Sequence, residues 1–177
     1  LSNNDIGAEG ARELATAMKE NKNIKLTNLN LRSNKIGDEG AKVLAEVLKE
    51  NNTLTSLSLY DNKIGAEGAK YLADALIDNK SLTCLYLGKN DIGDEGTKKL
   101  AAALTNNKNL TKLDLSNNNI GDSSISFLAA MLKYNWNLTE LDLTDNNIND
   151  KTISNLKEVH RVKTGKLNID FDDGIFA

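Results

Sequence analysis

Side chains able to act as acid, base or nucleophile are few in this sequence of 177 residues, which holds one histidine, His160, and one cysteine, Cys84. A catalytic site needs such groups, or paired carboxylates, held together in a cleft. His160 falls in the last turn of the final helical segment, where the helix C-terminus attracts a cationic ring. Cys84 sits just before Leu85 at an outward strand position, and no neighbouring repeat offers a histidine beside it, so exposure rather than reactivity is expected. The spacings of a phosphate-binding glycine loop or a cysteine zinc cluster are missing, and the recurring Gly-x-x-Gly reads as a packing device. No catalytic residue, cofactor or metal is expected.

What the chain offers instead is recognition chemistry. Arg32, Tyr60, Tyr86, Lys89 and Lys112 mix arginine, lysine and aromatic groups of the kind that anchor interfaces. Further along stands a run of carboxylates: Asp114, Glu140, Asp142, Asp145 and Asp170, with Asp172 and Asp173 after them. Tyr134 and Trp136 form a separate aromatic pair where equivalent positions elsewhere in the chain are polar. Trp136 is expected either to anchor a partner or to pack beneath the last repeat near Val162.

These residues share a face only if the chain repeats. The pattern Leu-x-Leu-x-x-Asn-x-Ile recurs with its asparagine at Asn34, Asn62, Asn90, Asn118 and Asn146, each 28 residues after the last. One more period reaches Ile169 and Phe171, a degenerate last strand in a C-terminal cap spanning about 150–177. The first interval, from Asn4 to Asn34, is 30 residues and places a two-residue bulge around Asn21 to Lys25. The chain opens in the middle of a motif, so truncation of a longer protein is expected.

Each Leu-x-Leu alternates as a strand does, its leucines inward and their neighbours outward. A helical period follows, as in Ala41, Leu44, Ala45 and Leu48. Asp38, Asp94, Asp122 and Asp150 are predicted to cap the first turns of their own helices. Gly40, Gly68 and Gly96 are predicted to let helix approach strand. A unit this small buries its apolar stripe only by stacking on its neighbours. Helices about 10 Å across and strands about 4.8 Å apart then curve the stack with the strands inside. The asparagine column is expected to be buried, its amides satisfying turn backbone. Asn-x-Ser/Thr triplets at Asn51, Asn79, Asn109 and Asn137 are by-products of the repeat rather than glycosylation sites.

The consensus from Leu29 to Leu48 resembles the ribonuclease-inhibitor-like class of leucine-rich repeats, as found in NOD-like receptors, ribonuclease inhibitor and Ran GTPase-activating protein. The resemblance covers nearly the whole chain and implies an α/β leucine-rich-repeat solenoid, a horseshoe with a parallel sheet inside and helices outside, in a single domain over 1–177. The even period is similar to NOD-like-receptor repeats or to the repeat proteins that bacteria and protists make in numbers, and a single cysteine sets the chain apart from ribonuclease inhibitor.

The function expected is protein recognition through the concave strand face, without catalysis; the competing reading is a GTPase-activating regulator. A formal net charge of −3 provides no field for nucleic acid, and the acidic half of the face suits a protein partner with a basic surface. No apolar run approaches the length of a membrane span. One cysteine and no signal-peptide pattern suggest the cytoplasm, or secretion as a bacterial effector fragment.

Overall fold

The computed structural model describes residues 1–21, 25–161 and 167–171, with the side chains of 159–161 also left out of the description. Helices and strands alternate: α1 (Gly7–Glu20), β1 (Asn28–Asn30), α2 (Gly37–Glu50), β2 (Ser56–Ser58), α3 (Ala66–Asp78), β3 (Cys84–Tyr86), α4 (Gly93–Leu104), β4 (Lys112–Asp114), α5 (Asp122–Tyr134), β5 (Glu140–Asp142), α6 (Asp150–Arg161) and β6 (Asn168–Asp170). The six strands form one parallel sheet in sequence order. Register follows the repeat, Leu29 beside Leu57, then Leu85, Leu113, Leu141 and finally Ile169. The expected degenerate last strand is therefore β6, and α6 belongs to the same cap; Val162, Asp172 and Asp173 lie outside the described residues.

Burial follows the predicted columns. Leu57, Leu85 and Leu113, with Leu59, Leu87 and Leu115 behind them, are at most 1% exposed. They meet the Ala69, Leu72, Ala73 and Leu76 stripe of α3 and its counterparts. Two asparagine ladders stitch the loops. In the first, Asn62 Oδ1 accepts from the amides of Asn34 and Ile36 at 3.0 and 3.2 Å, while its Nδ2 donates to Leu31 O and Tyr60 O at 2.8 and 3.1 Å. Four backbone groups of two repeats are thus satisfied by one buried amide.

The second ladder is one that the sequence reading passed over. Asn79, Asn107 and Asn135 are buried in the return loops. Their Nδ2 groups donate to Leu48 O, Leu76 O and Leu104 O, orphan carbonyls at the end of the helix one repeat earlier, at 2.7, 2.8 and 2.6 Å. Asn79 heads one of the four Asn-x-Ser/Thr triplets, and at 3% exposure its amide is closed to modification in the folded chain.

The aspartates correct an expectation. None of α1 to α5 has a side-chain hydrogen bond from its own N-cap residue. Asp38 instead reaches the next repeat, accepting from Gly65 N and Gly68 N at 2.7 and 3.0 Å. Asp94 does the same for Gly121 N at 2.7 Å and Asp122 for Asn149 N at 3.0 Å. In α6 the cap is Asn149, whose Oδ1 accepts from Thr152 N, and not Asp150. Where the preceding repeat carries Ala8 or Ala66 in place of aspartate, the next turn closes differently. Gly37 and Gly93 then adopt φ of 63° and 58° and donate to Asn62 O and Asn118 O, each at 2.9 Å. Gly65 and Gly121, facing an aspartate, are extended.

Gly40 and Gly96 also differ from expectation, since the close approach they permit is to the neighbouring helix and not to a strand. A Cβ on Gly96 would lie 3.0 Å from Ala69 Cβ and 3.2 Å from Ala66 Cα.

Candidate functional site

On the sheet face turned away from the helices, each of the strands β2 to β5 presents two partly exposed side chains around one buried leucine, as in Cys84-Leu85-Tyr86. The outward residues align across strands by register, so Ser58, Tyr86, Asp114, Asp142 and Asp170 make one row. Ser56, Cys84, Lys112, Glu140 and Asn168 make a second. A trough of about 390 Å³ crosses this face, bounded by Arg32 and Tyr60 at one end and by Glu140 and Asp142 at the other, with Tyr86 and Asp114 between.

At the first end the Arg32 guanidinium lies 4.3 Å from the centroid of the Tyr60 ring. Lys89, expected to add to that positive patch, is turned to Asp61 and bonded to it at 3.0 Å. That bond holds the Asp61 carboxyl below its ordinary range, against the upward push of burial. Lys112 is likewise engaged, 2.6 Å from Glu140 and 5.8 Å from the centroid of the Tyr86 ring. The carboxylate of Glu140 raises the Lys112 ammonium above its usual value. Burial does the same for the Tyr86 phenol.

Asp114 and Asp142 are built alike. Asp114 Oδ1 accepts from Ser116 N and Ser116 Oγ at 2.9 and 2.7 Å, and Asp142 Oδ1 from Thr144 N and Thr144 Oγ at 2.9 and 2.8 Å. Ser116 and Thr144 are buried, although each follows a strand leucine and alternation alone places it outward. Gly88 occupies the same column, and a Cβ there would fall 2.8 Å from both Asp114 oxygens and 2.6 Å from Ser116 Oγ. Its bare backbone is what lets the Asp114 carboxylate lie down on the sheet. Burial pushes the Asp114 carboxyl above the ordinary range and Asp142 adds to that push, against the Ser116 bonds.

The structure therefore brings together Arg32, Tyr60, Tyr86, Lys112, Asp114, Glu140 and Asp142. Asp170 continues the row on β6, partly buried, and Asp145 is exposed in the turn beyond Thr144. Trp136 is not part of this face. It stands 64% exposed in the return loop between α5 and β5, beside Tyr134 at 69%. Val162, against which one of the two expected roles of Trp136 would place it, lies outside the described residues. Ser58, Gly88 and Ser116 were missed as site residues, and their only sequence signal was smallness at otherwise bulky positions. Among the described residues no group of three or more His, Cys, Asp or Glu side chains is placed to hold a metal ion. No helix among them is long and apolar enough to cross a membrane.

The family described as Leucine Rich repeat matches residues 1–15, 22–45, 50–73, 78–101, 106–129 and 134–157. No curated protein matches the chain. Among solved structures it is similar to Leiomodin-1 Actin-Binding Site 2 (ABS2), with TM-score 0.70 and 26% identity over 85% of this chain and 89% of that one. It is also similar to the tropomodulin C-terminal domain of Caenorhabditis elegans, with TM-score 0.69 over 86% of this chain and 95% of that one; at 16% identity this is a likeness of fold alone.

Proposed function

The chain belongs to the leucine-rich-repeat family, six repeats of it matching, and on that premise we propose that it is a non-catalytic module that binds a partner protein through its concave strand face. The observation that carries the reading is the trough itself, which sets an arginine stacked on a tyrosine at one end and two half-buried carboxylates at the other. Arginine and tyrosine are enriched where proteins anchor one another, and the carboxylates suit a partner with a basic segment. The even 28-residue period favours the ribonuclease-inhibitor-like class, with repeats of the NOD-like-receptor kind. A single cysteine suits a cytoplasmic setting. Residues 1–177 form one solenoid domain in this reading, with a C-terminal cap over about 150–177.

Leiomodin-1 Actin-Binding Site 2 is named for actin, which makes actin the first defined candidate to test. The comparisons lend no support to a GTPase-activating role. The test is capture from lysate, with purified actin as a separate arm, comparing the parent with a chain carrying Tyr60→Ala, Tyr86→Ala, Asp114→Lys and Asp142→Lys. The expected result is a protein retained by the parent, lost by the folded variant, and released as salt rises. Equal retention by both chains removes the concave face from the reading and moves attention to the Tyr134 and Trp136 loop.

A further inference from the structure

Resting on the concave-face reading, we propose that the trough takes an extended peptide segment lying across the strands, with a basic side chain over Asp114 and Asp142 and an acidic side chain at Arg32. The donors and acceptors the face leaves open argue for it. Asp114 and Asp142 each spend one oxygen on the following Ser116 or Thr144, and the other oxygen of each receives no hydrogen bond among the described residues. Two such oxygens on paired positions of adjacent strands are a fork that a guanidinium or ammonium completes. A cation there also relieves the repulsion between the two carboxylates, and Tyr86, the register partner of Asp114, adds an aromatic wall.

Arg32 presents the opposite chemistry. Its guanidinium rests on the Tyr60 ring, borders the trough and forms no salt bridge among the described residues; Asp61 feels its charge but is bonded to Lys89 and Ser33 instead. Lys89 and Lys112 do not compete, because Asp61 and Glu140 already neutralise them. The two open ends are thus of opposite sign, and they fix the direction of a ligand.

Spacing selects the ligand's backbone. From the strand of Arg32 to those of Asp114 and Asp142 is three and four strand intervals, about 14 and 19 Å at 4.8 Å each. An extended chain covers that in about four to six residues. A helix, rising about 1.5 Å per residue, would need about ten to thirteen residues between its charges to span the same distance.

A random dodecapeptide phage library panned on the full 177-residue chain tests this directly. The expected clones carry a basic and an acidic residue about four to six positions apart, in one chain direction. A synthetic peptide from the leading clone should lose at least tenfold in affinity toward Asp114→Asn/Asp142→Asn, an isosteric pair that keeps the fold. Arg32→Glu should lose a similar factor and regain it with a peptide whose acid is replaced by lysine. Clones without the paired charges, clones that bind the Asn pair undiminished, failure of the swapped peptide to rescue, or no enrichment at all would each overturn the proposal, as would self-association of the chain through this face in light scattering. Loss of the lysate partner from the trough variant alongside unpaired clones would overturn the peptide and leave the concave-face reading standing. Clones competed only by Trp136→Ala would end both.

Discussion

At the residue scale, Asp114 and Asn62 show how polar groups inside a repeat array carry opposite consequences. The Asp114 carboxyl titrates above its unfolded value because burial and Asp142 disfavour its charge. Below the ordinary carboxylate range both states are protonated and the residue costs nothing. As pH rises through the window between the unfolded and folded values, the unfolded chain loses its proton first and stability falls, then stays lower through neutrality. Asp114→Asn keeps an acceptor for Ser116 and removes the charge beside Asp142, so it should raise stability at pH 7. Urea melts from pH 3 to 8 should show that gain disappear in acid. A gain that persists at pH 3 would assign it to packing instead. Asn62 is the contrary case, since removing its amide strands the four groups it serves. Asn62→Ala should cost about 3 kcal/mol or more in the same melts, and a cost under 1 kcal/mol would mean that water replaces the amide.

At the scale of the element, the turn before each helix has two solutions, chosen by the repeat before it. Gly93 follows Ala66 and sits at φ 58°, whereas Gly121 follows Asp94 and is extended with φ −108°. Alanine at Gly93 is strained whatever space surrounds it, so Gly93→Ala should cost about 1 kcal/mol or more. Gly121→Ala meets only Asp94 Oδ2, at 3.3 Å, and should cost less than half as much. Paired thermal melts measure both, and equal losses would remove the two-solution account. This alternation explains what the sequence concealed. The leucine columns and the first asparagine column were legible because their spacing recurs unchanged from repeat to repeat. Asp38 and Asp94 were legible as helix caps but not as caps of which helix, since that depends on the offset between stacked repeats. The site divided the same way. Alternation told which residues face outward, but not that Lys89 would bend to Asp61 or that Ser116 would vanish beneath Asp114, because those choices are made by side chains reaching across strands.

For the whole molecule, the sheet order β1 to β6 means that every strand interior to the array leans on two neighbours and β6 on one. Stability in such an array is a sum of repeat terms and nearest-neighbour interfaces, so equal cavities should have unequal reach. Leu85 on β3 is 0% exposed and Leu156 on α6 is 1% exposed, and either leucine cut to alanine removes the same atoms. Leu85→Ala should cost about 2–5 kcal/mol and lower hydrogen-exchange protection on both sides of β3, since it weakens two interfaces at once. Leu156→Ala should release α6 and β6 while β1 to β4 exchange as slowly as in the parent. The trough gives this difference a functional consequence, because Asp142 on β5 borders the end that frays, whereas Tyr86 and Asp114 sit two and one strands farther in. Leu156→Ala should therefore weaken a ligand held by the carboxylate pair without abolishing the stack of Arg32 on Tyr60. Uniform loss of protection in both variants would show instead that the solenoid unfolds as one cooperative unit, and binding would then follow global stability rather than position along the array.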